Sequence, residues 1–218
     1  MIWLSDKKID FPEIENANED GVLALGGDLS AERLIHAYRS GIFPWFSEGE
    51  PIVWYCPNPR MVLFFEKLKI SKSLRKIIRD QEFTITFNQN FEEVIFNCKS
   101  IQRGDNLGTW ITKEMEEAYL KLYKKGMAKS VEVWQSGQLV GGLYGVDLGS
   151  IFCGESMFSK VSNASKVAFV YLVNKLKSEE YKLLDCQVYN NHLASLGAEE
   201  ISREDFLELL KLSNKNVL

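Results

Sequence analysis

The order of hydrophobic patterns along this chain of 218 residues predicts an α+β fold. A small N-terminal domain (residues 1–60) precedes a larger one (61–218) with a central mixed, largely antiparallel sheet flanked by helices. Three observations carry that reading. All five prolines (12, 44, 51, 57 and 59) precede residue 60, and Cys56-Pro57-Asn58-Pro59 can continue neither a helix nor a central strand. Alternation in Ser130–Gln135, a turn at Ser136-Gly137 and a return over Gln138–Val146 mark an antiparallel hairpin. Around it the patterns run helix, helix, hairpin, strand, helix, strand, helix.

In chain order, Gly26-Gly27-Asp28 is a turn, Ser30 N-caps a helix with Leu34, Ile35 and Tyr38 on its apolar face, and Gly41 ends it. Met61–Phe65 and Phe83–Phe87 read as strands on either side of a basic helix. In 66–79, six lysines and arginines stand against Glu66 alone. Ile70, Leu74, Ile77 and Ile78 give that helix an apolar stripe, leaving Lys72, Arg75, Lys76 and Arg79 for a solvated face or a phosphate-binding patch. A second helix follows Asn90, with Phe91, Val94, Ile95 and Cys98 inward. Thr112 caps a third, carrying Met115, Ala118, Tyr119 and Leu122, which Gly126 closes. After the hairpin, Ser150–Phe152 begins a strand that runs into Cys153-Gly154-Glu155-Ser156. A helix from Asn163 to about Lys177 buries Ala164, Val167, Ala168, Tyr171 and Leu172. Leu183–Val188 is a strand, and Leu207 and Leu210 mark a last helix. A meander, a helix packed on it and one more strand is also the order of acetyltransferase-like (GNAT-like) folds.

Composition narrows the function. With 45% apolar and 26% charged residues the chain is globular. No apolar run approaches the ~18 residues of a membrane span, and Met1 to Asp10 lacks the apolar centre of a signal peptide. A cytoplasmic protein is expected. Cys56, Cys98, Cys153 and Cys186 form no CxxC, and His36 and His192 are the only histidines, so buried thiols and no metal are expected. The net charge of −4 is uneven, because residues 1–59 hold ten acids and four bases. Neither GxxxxGK[ST] nor GxGxxG occurs, and no nucleotide cofactor is expected from such loops. Cys186 with His192 lacks the context of a thiol nucleophile.

Three places hold chemistry. In Leu183-Leu184-Asp185-Cys186-Gln187-Val188, strand alternation sends Asp185 and Gln187 to one face and Cys186 to the other. An Asp inside an apolar strand is costly without partners. It is either a structural hydrogen-bonded Asp or a carboxylate that polarises the neighbouring amide or relays a proton. Glu155, after a glycine and amid aromatics, suits a cationic ligand such as an α-ammonium, or a salt bridge. Trp45, in Gly41-Ile42-Phe43-Pro44-Trp45-Phe46, and Trp110, before a helix N-terminus, suit the core or a stacking platform equally.

Eight blocks, in order, resemble the leucyl/phenylalanyl-tRNA–protein transferase family. They are Asn18 to Ser30, Tyr38 to Phe46, Gly108-Thr109-Trp110-Ile111-Thr112, Ser130-Val131-Glu132-Val133-Trp134, Gly141 to Val146, Phe152 to Ser159, Asn163-Ala164-Ser165-Lys166, and Asp185-Cys186-Gln187-Val188 with Ser195-Leu196-Gly197-Ala198. The resemblance spans residues 11–206 or so. It implies a cytoplasmic bacterial enzyme, acting as a monomer without cofactor, that moves Leu or Phe (Met less well) from Leu-tRNA or Phe-tRNA onto proteins with an N-terminal Lys or Arg, creating an N-degron. The tRNA ester is already activated, which fits the missing nucleotide loops. By the same resemblance, Asp185 and Gln187 take or relay the amine proton, or only orient reactants if the tRNA ribose assists. Glu155 holds an amine or the acceptor's basic side chain. Trp45 and Trp110 lie near the 3′ adenosine and ester, Asn190 matches an active-site position, and the basic helix with Lys72, Arg75, Lys76 and Arg79 meets the acceptor stem. Leu143, Met157 and Leu184, apolar and close in sequence to that chemistry, are assigned to the amino-acid pocket.

The chain departs from the family at Lys129, where His is common, and in Arg103-Gly104-Asp105-Asn106-Leu107, which is longer than in some members. A CoA-dependent acetyltransferase would need a glycine-rich pyrophosphate turn where this chain has Ser159-Lys160-Val161-Ser162-Asn163-Ala164. A binding module would need neither Asp185 nor Gln187. A transferase acting on peptidoglycan precursors differs in its acceptor.

Overall fold

A computed structural model describes residues 2–101 and 110–214. Its elements are, in order, β1 (Ile2–Leu4), β2 (Val22–Gly26), α1 (Ala31–Arg39), β3 (Phe43–Pro44), β4 (Val53–Tyr55), β5 (Arg60–Leu63), α2 (Lys72–Arg79), β6 (Thr84–Phe87), α3 (Phe91–Ser100), α4 (Lys113–Lys124), β7 (Ala128–Gln135), β8 (Gln138–Asp147), β9 (Ile151–Ser159), α5 (Ala164–Ser178), β10 (Leu183–Gln187), α6 (Asn191–Ser195), β11 (Glu199–Ile201) and α7 (Arg203–Asn214). None of the described helices is long and apolar enough to cross a membrane.

Local chemistry starts and stops these elements. Ser30, Ser71 and Thr112 accept the N–H three residues on, from Arg33, Leu74 and Met115, and so open α1, α2 and α4. The basic helix therefore begins at Lys72 rather than 66, and Phe65–Lys67 is a 3-10 turn after a strand that stops at Leu63. At the start of α3 the buried Glu132 carboxylate, from β7, accepts from the Gln89 and Asn90 N–H groups and from the Thr86 and Ser130 hydroxyls. Gly41 closes the turn after α1 with φ +78°, and a Cβ there would lie 2.7 Å from Leu207.

A four-stranded sheet of order β1-β2-β4-β3 draws on residues 2–55, in a segment whose strands the proline pattern did not disclose. The seven-stranded sheet has the order β11-β5-β10-β9-β8-β7-β6. Among its described strands β9 and β10 form the one parallel pair. On one face, Leu23, Leu34, Tyr38 and Trp54 join Phe91, Met115, Tyr119, Tyr144 and Val146 in a core that runs across the proline-rich stretch without a break. On the other face α5 packs Phe169, Leu172 and Val173 onto Met61, Val131, Leu143 and Leu184. Leu74 docks α2 on Val167 and Val170 of α5. All four cysteines are buried, and none is in a disulfide.

The two parallel strands pair only from Leu183 opposite Ile151 to Asp185 opposite Cys153, after which they part. Each also carries an irregularity at that point. β9 slips against β8 between Gly154 and Ser156, so Glu155 is an extra residue. β10 slips against β5 between Asp185 and Gln187, so Cys186 is another. Such bulges re-aim the side chains next to them. They put Glu155 and Gln187 on facing sides of the opening.

Candidate active site

A cavity of about 350 Å³ fills that opening. Leu143, Met157, Phe169, Leu172, Leu184 and Cys186 make its apolar part. Phe43, Trp45, Trp110, Asn190, His192, Glu155 and Gln187 line it as well. Trp45 (42% exposed) and Asn190 lie at the surface and mark the entrance.

Glu155 is the hub. Its Oε1 accepts from the Tyr38 hydroxyl at 2.7 Å and from Gln187 Nε2 at 2.8 Å, and its Oε2 accepts from the Tyr119 hydroxyl at 2.8 Å. The two phenols also touch each other through their hydroxyls. All three donors are neutral. Burial raises the Glu155 carboxyl from the usual carboxylate range to about 7. The three hydrogen bonds oppose that rise, and the charge of Asp185 adds to it. Burial and the nearby carboxylate push both phenols well above their ordinary range, so they stay donors. His192 is pushed down, first by burial and then by Lys166.

Gln187 owes its place to a strained turn. Its φ is +67°, in the left-handed region, and the Val188 N–H reaches back to the Cys186 carbonyl at 2.9 Å, closing a γ-turn. Such a conformation costs on the order of 1–3 kcal/mol. The Asp185 carboxylate offsets it by accepting the Gln187 N–H at 2.9 Å, a charge-assisted bond of about 1.5–3 kcal/mol. Asp185 itself is fully buried and does not line the cavity. Arg60 holds both of its oxygens, Nε to Oδ1 at 2.8 Å and Nη2 to Oδ2 at 2.7 Å.

Of the residues singled out from the sequence, Trp45, Trp110, Asn190, Leu143, Met157, Leu184, Glu155 and Gln187 all line the one cavity. Asp185 stands behind Gln187 and touches it through the backbone. Lys72, Arg75, Lys76 and Arg79 lie outside the cavity, exposed on α2, where Lys76 and Arg79 share Asp80. Gly108, Thr109 and the stretch Arg103 to Leu107 lie outside the described residues.

Sequence reasoning missed Arg60, Tyr38, Tyr119 and Phe169. Arg60 and Asp185 are each a lone charge in an apolar strand, and that shared oddity was the available signal. The tyrosines read as apolar helix positions, yet a buried phenol needs a partner for its hydroxyl. Phe169 carried no signal beyond helical spacing.

Residues 62–211 match the family described as leucyl/phenylalanyl-tRNA protein transferase, and residues 27–58 match the N-terminal domain described for it. A Flavobacterium johnsoniae protein named leucyl/phenylalanyl-tRNA–protein transferase is 64% identical over 205 residues, covering 94% of this chain and 97% of its own. A Pseudomonas fluorescens protein of the same name is 51% identical over 212 residues, covering 96% and 93%. Among solved structures, a GCN5-related N-acetyltransferase from Kribbella flavida aligns with a TM-score of 0.38 at 10% identity, covering 79% of this chain and 60% of that one. With a matching family profile over most of its length and relatives more than half identical from end to end, this chain belongs to the leucyl/phenylalanyl-tRNA–protein transferase family.

Proposed function

We propose that this protein moves Leu or Phe, and Met less well, from its tRNA onto the N-terminal Lys or Arg of acceptor proteins. The product is a new peptide bond and an N-degron. We take the protein to act as a cytoplasmic monomer without cofactor, with residues 1–60 and 61–218 as its two domains. The observation that carries this reading is the Glu155–Gln187 pair facing across the strand opening, beside an apolar cavity.

An α-ammonium has a pKa of about 7.7–8.0 and must lose a proton before it attacks an ester. For an ordinary carboxylate that transfer is uphill by more than 3 pH units. For Glu155, raised to about 7, it is uphill by only about one, or ~1.4 kcal/mol. Glu155 takes the first proton from the ammonium, and the freed amine attacks the ester carbonyl. The second proton passes from the adduct's nitrogen to the departing ribose oxygen, so one proton is released per peptide bond. Gln187 holds Glu155 through its amide, and Asp185 holds Gln187; both position the reactants. Positioning two substrates supplies the rest of the acceleration.

In this reading the aminoacyl side chain occupies the space between Leu143, Met157 and Leu184, with Phe169 and Leu172 as its further wall. A pocket of that kind favours side chains unbranched at Cβ, yet one methylene is worth only ~1–3 kcal/mol, so Met is tolerated. Trp45 and Trp110 stack on the 3′ adenosine, and Asn190 lies beside them at the entrance. Lys72, Arg75, Lys76 and Arg79 contact acceptor-stem phosphates, which gives affinity without sequence choice. The test is label transfer from Phe-tRNA and Leu-tRNA to peptides beginning with Arg, Lys or Ala, without ATP or CoA. Label on the Arg and Lys peptides alone is expected. Label on none of them, with tRNA still bound, overturns the reading.

A further inference from the structure

We propose that Arg60 is the positioning residue of this site, a single guanidinium that fixes the Gln187 turn relative to the Trp45 wall of the cavity. The inference rests on the transferase reading above and extends it to a residue that touches no substrate.

Arg60 opens β5 and is 1% exposed. Two of its nitrogens hold the two oxygens of Asp185, and Asp185 in turn holds the Gln187 N–H. Its remaining terminal nitrogen, Nη1, donates to the Gly41 carbonyl at 3.1 Å. From Gly41 the chain runs through Phe43 and Pro44 to Trp45, which lines the same cavity as Gln187. The flat faces of the guanidinium are occupied as well, with the Phe43 ring at 4.8 Å and the Phe206 ring of α7 at 4.5 Å. One planar group thus joins the turn after α1, the strand with Gln187 and the last helix. Only a rigid fork of donors reaches Asp185 and Gly41 together; a lysine ammonium in the same space can hold one oxygen but not this set. Without the fork, the γ-turn at Gln187 loses its anchor and the aromatic wall loses its reference. A displacement of about 1 Å at a reacting centre costs on the order of 100-fold in rate.

The experiment is steady-state transfer from Phe-tRNA to an Arg-initiated peptide by Arg60→Lys and by the double variant Arg60→Met/Asp185→Leu, with thermal melting of each. Arg60→Lys is expected to lose on the order of 100-fold in kcat, with KM for the peptide within about twofold. The double variant replaces a buried ion pair with apolar side chains, a change that is often neutral or stabilising. It is expected to melt at or above the parent temperature and to stay as slow as Arg60→Lys. A structural role alone predicts that the double variant recovers both stability and transfer, and that result overturns the inference. It decides the matter even where Arg60→Lys fails to fold. An active parent with an unaffected Arg60→Lys overturns the inference alone, whereas a parent that moves no label overturns the transferase reading and takes this inference with it.

Discussion

Replacing Tyr119 by Phe isolates the electrostatics of Glu155. The ring stays in place, packed edge-on against Tyr144 with centroids 5.4 Å apart, and only the hydroxyl that donates to Glu155 Oε2 is lost. Tyr38 and Gln187 still hold Oε1. A hydrogen bond to a charged group contributes about 1.5–3 kcal/mol, and 1.36 kcal/mol corresponds to one pH unit. The protonation midpoint of Glu155, about 7 in the parent, therefore climbs by about one pH unit or somewhat more. At pH 6 the ionised fraction falls about tenfold, whereas at pH 9 both proteins are almost fully ionised. Single-turnover transfer from pre-bound Phe-tRNA to an Arg-peptide, corrected for spontaneous ester hydrolysis, reads this directly. Titration of the acceptor amine is common to both proteins and cancels in the ratio of variant to parent. That ratio is expected to climb from about a tenth at pH 6 towards one at pH 9. A ratio that is flat with pH refutes the assignment of Glu155 as the titrating group.

Reversing charge at Arg75 and Arg79 should weaken tRNA binding and lower its salt slope by about one for each phosphate that is no longer neutralised. If affinity and slope both stay at parental values in filter binding, the face is only solvated. Leu143→Ala should erode the preference for Leu-tRNA over Ile-charged tRNA, by about 10-fold or more if the side chain lies against the substrate. An unchanged ratio in competition assays places the aminoacyl group elsewhere. Glu155 is raised by folding, so between about pH 4.5 and 7 the folded chain binds more protons than the unfolded one. Its contribution to stability is therefore lost as pH rises through that window, by at most about 3 kcal/mol. Urea unfolding at pH 5 and pH 8 should show this fall, and Glu155→Gln should remove it.

Much of the framework was legible because periodicity and capping residues encode it locally. Ser30 and Thr112 start their helices where their hydroxyls meet an N–H three residues on, and Ser136-Gly137 turns the central hairpin. The strands of the four-stranded sheet were not legible, since runs of two to five residues between turns are too short to display alternation. Neither were the bulges. A period of two assigns each side chain a face, but an extra residue at Glu155 or Cys186 leaves the composition of the strand unchanged while re-aiming the side chains beyond it. The cavity residues were found by type and by family resemblance. Their supports were not, because Arg60 and Asp185 are separated by 125 positions and Tyr38 and Glu155 by 117, and no local pattern spans such distances.

The site holds two carboxylates with opposite surroundings, and that difference divides their work. Asp185 has both oxygens taken by a guanidinium that is itself buried, and it accepts a backbone N–H in addition. With both oxygens in a bidentate ion pair, Asp185 is a fixed acceptor that holds a strained turn. Glu155 accepts from three neutral donors, and burial moves it towards the pH at which an α-amine exchanges its proton. Two groups of the same chemistry thus differ in their partners: one holds a turn, and burial raises the other to about 7. The parting strands make this possible, because they leave Glu155 lining the cavity while Asp185 stays buried outside it. The strand split therefore sets both where the cavity lies and which of the two carboxylates lines it.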